Sequence, residues 1–414
     1  MDLRDTPGEA KTREEVRGWL QANWRDGMDQ KEWFKILADS GWAAPLWPSE
    51  YGGRSASASE AIIFNQERQA IGAEPPPRGI GVPMAGPTII KHGTAEQKER
   101  FLGPMLRGEE VWCQLFSEPG AGSDLAAIQT RAELDGSVWR VTGQKVWTTH
   151  AQLARWGILM ARHDPSLPKH AGITYFICDM QADGVEIVPL KEMTGEAVFN
   201  EVFLNDVEIS DDLRVGAVGE GWKVSMTTLA NERMALGLGG LGGSGADDPL
   251  DLAEADAESS LETMGKFIAR GPRALVELAE RAGVIEDPLI RDELARVYTM
   301  YEVNRFTGLR ITSALMQGKG PGVEASTGKL AYNQLVRAVA DLLLRIAGTG
   351  AMGAPDDDKI LKVAERLNLV VPATSIYGGT DQIQRNIISE RVLGMPKEPR
   401  TDAEIPFNEI KKGG

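Results

Sequence analysis

The chain has 414 residues, and its 42% hydrophobic and 25% charged content is ordinary for a globular protein of two or three domains. A formal net charge of −15 argues against a nucleic-acid surface, and no apolar run approaches the roughly 18 residues that a membrane span requires. The two cysteines are too few for a disulfide framework and the four histidines lack metal-ligand spacing, so we predict buried thiols and no metal site.

The elements predicted along the chain change from helices to strands. The N-terminal residues are charged and acidic, without signal or transit character, so we expect a cytoplasmic protein. Helical patterning fills the first hundred or so residues, and Thr94-Ala95-Glu96-Gln97 is a capping box that starts a helix reaching Leu106. Between about Val111 and Val218, short alternating runs predict antiparallel strands of a barrel or sandwich. The predicted strands are 138–142, 157–162, 173–179, 185–190 and 201–209.

From Gly221 onward the pattern is helical again. The long amphipathic stretches are 273–283, 288–317, 326–346 and 359–370. Helices, then strands, then helices predict an α+β chain of three domains. We place a helical N-terminal domain at 1–110, a middle β domain at 111–220 and a C-terminal helical domain at 221–414. Within the last, the glycine-rich and then acidic stretch 237–260 predicts a flexible loop.

Two strings match the dinucleotide-binding pattern G-x-G-x-x-G, at 237–242 and at 348–353. That pattern has meaning only between a strand and a helix, with an acidic residue further on. The first string follows a helical run and leads into an acidic stretch, whereas the second ends a helix and is followed by Pro355. Neither string therefore predicts a Rossmann domain.

The most informative motif is WCQLFSEPGAGSD, which runs from Trp112 to Asp124. It begins as an alternating, strand-like run and then breaks at Pro119, which fixes one backbone angle, while two glycines permit close approach of a ligand. Ser117 and Ser123 add hydroxyl groups, and backbone N–H groups in such a turn can converge on an anion. Taken alone, the motif fits either a turn that holds a phosphate or polar ring edge, or a plain tight turn between strands.

Two further strings accompany this motif, GQKVWTTHA at 143–151 and SIYGGTDQIQRNIISERVLG at 375–394. In their order and separation, the three strings resemble the acyl-CoA dehydrogenase family, from about residue 33 to residue 394, with a poor match between 237 and about 310. The resemblance implies a helical N-terminal domain, a middle β domain and a C-terminal four-helix bundle. It also implies FAD as cofactor, an acyl-CoA thioester as substrate, α,β-dehydrogenation as the reaction and an electron-transfer flavoprotein as acceptor.

The same resemblance implies flavin-binding roles for residues in all three strings. Trp147 would form a flat wall for the ring system, while Ser117 and Thr149 can hydrogen-bond to its polar edge. Considered by itself, a tryptophan at this position is more often a core residue. The full set of implied flavin-binding residues is Gln114, Phe116, Ser117, Gly122, Ser123, Trp147, Thr149, Thr380 and Gln382.

The catalytic base departs from the commonest family pattern. Most members carry glutamate in a Tyr-Glu-Gly-Thr string, where this chain has Gly378 in Tyr-Gly-Gly-Thr. A minority carry the base on a helix directly before arginine, and the matching residue here is Glu232, followed by Arg233. The resemblance thus implies Glu232 as base, the backbone N–H of Gly378 as donor to the thioester carbonyl, and Ser123 and Arg233 as substrate contacts. The alternative is a solvated Glu–Arg pair on a helix surface.

Two departures from the family concern the neighbouring subunit. An Arg-x-x-Phe-Gly-Lys pattern is absent, and Leu344 replaces a glutamine before the glycine-rich helix end. These changes favour a heteromeric assembly, for example α2β2 with a related subunit, over a homodimer or homotetramer. The missing side chain at Gly378 favours a bulky or branched acyl group, and fatty, branched and steroid side-chain thioesters all stay open. The alternative functions are a flavin oxidase or monooxygenase on the same fold, and a non-catalytic subunit dependent on its partner.

Overall fold

A computed structural model of the chain describes residues 5–77, 79–239, 260–316, 324–348, 359–399 and 402–410. Helices come first, a sheet follows, and helices return, as predicted from the sequence. The N-terminal helices are α1 (Pro7–Asn23), α2 (Gln30–Asp39), α3 (Ala58–Ala70), α4 (Gly86–His92) and α5 (Ala95–Leu106).

The capping box predicted at the start of α5 is confirmed. The Thr94 side chain accepts a hydrogen bond from the Gln97 backbone N–H, and the Gln97 side chain accepts one from the Thr94 N–H. Gln97 also donates through Nε2 to the carbonyl of Asp212 at 2.6 Å and to that of Arg214 at 2.9 Å. One side chain therefore closes the helix end and ties α5 to the chain that leaves the sheet.

The middle region is one seven-stranded sheet. Its strands are β1 (Trp112–Leu115), β2 (Arg131–Asp135), β3 (Val138–Thr149), β4 (Trp156–Arg162), β5 (Ile173–Asp179), β6 (Val185–Leu190) and β7 (Phe199–Ser210). All five predicted strands are present, and β5 and β6 have the predicted bounds.

The prediction of a purely antiparallel sheet is wrong, because β4 runs parallel to its neighbours β1 and β2. The strand order is β1-β4-β2-β3-β7-β6, with β5 paired to β4. Tight turns force antiparallel pairing only between strands that they connect, such as β2 and β3. Strands β1 and β4 are separated in the chain by the β2–β3 hairpin, so no tight turn connects them. They run in the same direction.

Both faces of the sheet centre are buried. On β4, Ile158 and Met160 face a core shared with the N-terminal helices, whereas Leu159 and Ala161 face a second core within the sheet region. A strand covered on both faces has an unbroken apolar sequence, as in WGILMAR. The second core includes residues from β1, β3, β4, β5 and β7, so the sheet curls around it.

The C-terminal helices are α6 (Gly221–Gly239), α7 (Ser260–Ala269), α8 (Pro272–Arg281), α9 (Pro288–Met316), α10 (Glu324–Ala347), α11 (Lys359–Thr374) and α12 (Asp381–Ile387). Helices α7 to α11 enclose a third core. Of the predicted flexible loop 237–260, residues 240–259 lie outside the described residues, while α6 continues to Gly239 and Ser260 is buried. Across the described ranges, no helix is both long enough and apolar enough to cross a membrane.

Burial of both thiols leads to a simple prediction. Cys113 and Cys178 are 1% and 0% exposed, and burial raises the pKa of both, that of Cys178 to about 12. Because the thiolate is the reactive form, the folded protein is expected to be inert to Ellman's reagent and to release two equivalents of thionitrobenzoate only after denaturation. Rapid stoichiometric labelling of the folded chain would contradict the burial of either thiol.

Candidate active site

The first two motifs meet where β1 ends. The backbone N–H of Val146 on β3 donates to the carbonyl of Ser117 at 2.9 Å. The turn that follows is closed by reciprocal backbone hydrogen bonds between Glu118 and Ala121, each 3.0 Å long. Gly122 and Ser123 then lie exposed at the end of this turn, where a ligand can approach the backbone.

A buried ion pair lies beneath the turn. Lys145 Nζ is 2.7 Å from a carboxylate oxygen of Glu118, and the Lys145 side chain is fully buried. The same ammonium donates to the carbonyls of Phe116 and Met160, at 3.3 and 2.8 Å. The Glu118 carboxylate in turn accepts the backbone N–H groups of residues 129 and 130, at 2.6 and 3.0 Å. Four segments of the sheet region, at residues 116–118, 129–130, 145 and 160, therefore converge on one charge pair.

The ionisation of this pair follows from its surroundings. Burial by itself raises the pKa of Glu118, but the charge of Lys145 and the hydrogen bonds to the carboxylate outweigh it and lower the pKa. Burial lowers the pKa of Lys145, against the opposing effect of Glu118. This pair was not predicted from the sequence, although a lysine at an inward position of an alternating strand is a usable signal.

The residues predicted to face a flavin divide into a buried and an exposed group. Phe116 is buried and packs edge-to-face on Tyr175, with ring centroids 5.8 Å apart, and Gln114 is half-buried on β1. Trp147 is 56% exposed and has a φ of 62°, at an irregularity in the pairing of β3 with β7. Thr149, two residues further, is also exposed. An exposed tryptophan and threonine on β3, next to an exposed glycine turn, form a surface that suits a planar polar ring system.

Helix α6 links Glu232 to this surface. Thr228 of α6 hydrogen-bonds to Thr88 at 2.9 Å and to the Tyr175 hydroxyl at 3.0 Å, and Tyr175 packs on Phe116. Glu232 lies one helical turn beyond Thr228, so the two side chains project from the same side of α6. The Glu232 side chain is half-buried rather than solvated. Only the backbone of Arg233 is described, so its predicted substrate contact lies outside the described side chains.

The loop that carries Gly378 lies between α11 and α12. Gly378 and Gly379 have φ values of 63° and 87°, in the left-handed region. The Thr380 side chain caps α12 by accepting the Ile383 N–H at 3.2 Å, and Gln382 is exposed. Helix α12 packs against α10, so Thr380 and Gln382 lie beside that helix. They belong to a different element from the glycine turn and from β3, which carry the other predicted flavin-binding residues.

Lys329 of α10 holds this loop. Its Nζ donates to the carbonyls of Thr374 and Gly379, at 3.2 and 2.6 Å. Burial lowers the pKa of Lys329, and the negative charges of Asp381 and Glu232 oppose this effect. Lys329 was not predicted as a site residue, because an isolated lysine in an amphipathic helix has no distinguishing pattern.

The backbone conformation at Gly378 leads to a stability prediction. A side chain in the left-handed region costs about 1–2 kcal/mol, so Gly378→Ala is expected to lower the free energy of unfolding by that amount in urea denaturation. The matched control is Gly18→Ala in the middle of α1, where a new Cβ meets nothing within 4 Å. There alanine is expected to raise stability by about 0.5–1 kcal/mol. Equal effects at the two positions would contradict the strained conformation.

Sequence comparison covers all three regions of the chain. The profile of the acyl-CoA dehydrogenase N-terminal domain matches residues 6–109, that of the middle domain 113–207 and that of the C-terminal domain 219–393. The fold and these matches define an oxidoreductase that acts on acyl-CoA, from a flavin-dependent class. The chain belongs to the acyl-CoA dehydrogenase family.

Two mycobacterial proteins illustrate the relationship. Acyl-CoA dehydrogenase IpdE1 of Mycobacterium tuberculosis is 36% identical over 411 residues, covering 94% of this chain and 98% of that protein. Acyl-CoA dehydrogenase FadE34 of the same organism is 41% identical over 361 residues, covering 87% of this chain. The chain spans only about half the length of FadE34, since the match covers 46% of that protein.

Solved structures agree with the fold. The Tcur3481-Tcur3483 steroid ACAD has a TM-score of 0.75 and 29% identity, covering 96% of this chain and 100% of that chain. The ChsE4-ChsE5 complex from Mycobacterium tuberculosis has a TM-score of 0.73, with the same identity and the same coverage. The predicted three-region architecture and family are therefore confirmed.

Proposed function

We propose that this chain is the base-bearing subunit of an FAD-dependent acyl-CoA dehydrogenase. The observation that carries the proposal is the half-buried position of Glu232 on α6, in a chain whose Gly378 loop is held by Lys329. A partly desolvated carboxylate and a loop N–H donor would meet two needs of α,β-dehydrogenation, namely a base and a donor for the developing enolate oxygen.

The cofactor surface is formed by the turn and the exposed end of β3. FAD, when bound, supplies the acceptor for the hydride that leaves the β carbon. Ser117, Gly122 and Ser123 would hold its polar groups, and Trp147 with Thr149 would cover the ring system. The exposure of Trp147 supports this role, because a tryptophan with no ligand to contact is normally well buried.

The chain's own groups perform the proton chemistry. Glu232 takes the α proton of the thioester, and the N–H of Gly378 donates to the thioester carbonyl as negative charge develops there. The absence of a side chain at Gly378 leaves room for a bulky or branched acyl group. One of the two structural neighbours is a steroid ACAD by name, which is consistent with a substrate of that class.

A related partner subunit completes the proposed assembly. Both structural neighbours described above have names that join two components, Tcur3481 with Tcur3483 and ChsE4 with ChsE5. In this chain, Leu344 is 37% exposed at the position where the family resemblance places a glutamine that reaches the neighbour's flavin. An exposed leucine suits an interface that holds no cofactor. The proposed electron acceptor is an electron-transfer flavoprotein, and the proposed compartment is the cytoplasm.

Anaerobic titration tests the function. The tagged chain is purified from its own host with whatever subunit accompanies it, and the ratio of FAD to chains is measured. Butyryl-CoA, isobutyryl-CoA, octanoyl-CoA and the CoA thioester of a steroid carboxylic acid are then added in turn without oxygen. We expect fewer FAD than chains and bleaching of the flavin by a bulky or branched thioester. Flavin that no thioester bleaches would overturn the proposed activity, and a homotetramer with one FAD per chain would overturn the heteromeric assembly.

A further inference from the structure

One face of α10 carries three polar side chains at intervals of four residues, namely Lys329, Asn333 and Arg337. Such spacing places them in a row along the helix. All three bind the segment that leads from α11 into α12. Asn333 Nδ2 donates to Asp381 at 2.6 Å, and Arg337 donates to the Ser375 hydroxyl.

Lys329 makes the central contacts of this row. It donates to the carbonyls of Thr374 and Gly379, so it fixes the chain on both sides of Gly378. From the loop's own side, Gln384 Nε2 donates to the carbonyl of Gly378 at 3.1 Å. Two adjacent glycines would otherwise leave this loop with large conformational freedom.

Burial and neighbouring charges also affect the pKa of Lys329. Its side chain is only 8% exposed, and burial lowers its pKa, whereas the negative charges of Asp381 and Glu232 act in the opposite direction. The ammonium that holds the candidate donor loop after α11 is therefore largely shielded from water.

We infer that Lys329 is a positioning residue for the dehydrogenation, which holds the Gly378 loop through the carbonyls of Thr374 and Gly379. This inference rests on the proposed function, because it assigns a task within that reaction. Misplacement of a donor by about 1 Å costs up to about 100-fold in rate, so loosening this loop has a large effect on turnover and a small effect on the affinity for the thioester.

The test compares Lys329→Met with Arg345→Met in the purified native assembly. Arg345 is a matched control, since it is a cation on the same helix, is 59% exposed and lies 3.6 Å from Glu293. Hydrogen–deuterium exchange of residues 375–381 is expected to accelerate about tenfold in Lys329→Met and to stay unchanged in the control. With the thioester that bleaches the wild-type flavin fastest, the bleaching rate at saturation is expected to fall about 10- to 100-fold, with less than a threefold change in the thioester Kd.

The outcomes separate this inference from the proposed function. If no thioester bleaches the wild-type flavin, the proposed function fails, whatever the exchange data show. If the wild type is active and Lys329→Met keeps both its exchange pattern and its rate, the inference is overturned. Should the methionine variant not fold, Lys329→Arg decides the question, because arginine keeps the charge but replaces the compact ammonium with a larger, planar group whose donors are fixed in direction. Faster loop exchange with a full wild-type rate in that variant would overturn the inference as well.

Discussion

Glu232→Gln is expected to reduce anaerobic flavin bleaching by about 10²–10⁴-fold, because a positioned general base contributes an effect of that size. Glutamine has nearly the same shape but cannot accept the α proton. The measurement is the single-turnover rate at saturating thioester, with FAD content and thermal unfolding recorded for the same sample. Both of these are expected to match the wild type.

The matched control for this variant is Glu220→Gln. Glu220 directly precedes α6 and pairs with Lys223 at the surface, so the substitution removes the same charge from the same part of the chain without touching the proposed site. Its bleaching rate is expected to stay within about twofold of the wild type, since surface pairs contribute little. Full activity of Glu232→Gln would place the base elsewhere and would favour a non-catalytic role for this helix.

Lys145→Met is expected to lower the free energy of unfolding by about 3–5 kcal/mol, because it leaves the buried Glu118 carboxylate without its counter-charge. The turn next to Ser117 would loosen at the same time, so FAD is expected to dissociate more readily. Urea denaturation measures the first effect and flavin fluorescence on dilution measures the second.

The control variant is Lys35→Met, which removes a lysine from an exposed pair with Asp39 of similar length, 2.6 Å. Its stability is expected to change little, since both side chains are more than half exposed. Similar losses of unfolding free energy in Lys145→Met and Lys35→Met would contradict the expectation that burial makes the Lys145–Glu118 pair important.

The stability loss in Lys145→Met also depends on pH. The pKa of Glu118 lies below its ordinary value of 4.5, so its contribution to stability is present above pH 4.5 and is lost as the pH falls towards the lowered pKa. Without Lys145, burial raises the pKa of Glu118 above 4.5, so the difference in unfolding free energy between wild type and Lys145→Met is expected to begin to shrink above pH 4.5 and to go on shrinking below it. A difference that stays constant through this range would show that the carboxylate is not what the lysine stabilises.

Local signals in the sequence were sufficient for the elements themselves. The capping box at Thr94 starts α5, and the alternating runs at Ile173–Asp179 and Val185–Leu190 are strands with those bounds. The predictions of buried thiols and of three regions are also confirmed. Each of these depends on residues within one or two turns of one another, or on burial that a strongly apolar run predicts by itself.

Partners distant in the chain could not be predicted in this way. The sequence alone predicted antiparallel pairing throughout, but β4 pairs in parallel with β1. It also did not identify Lys145 with Glu118, which are 27 residues apart, or Lys329 with Gly379, which are 50 apart. In the sequence, an isolated lysine cannot be distinguished by its neighbours, whether its ammonium group faces water or a buried carbonyl.

For this protein, the sequence by itself determined the order of helices and strands, the family and the residues to consider at the site. The tertiary structure decided the direction of the parallel strands, the buried charge pair under the turn and the lysine that holds the Gly378 loop. The physical reason is that helices, caps and strands are selected by short-range backbone preferences and periodic burial. The pairing of a charge with a carbonyl or carboxylate is selected only when folding removes water from both.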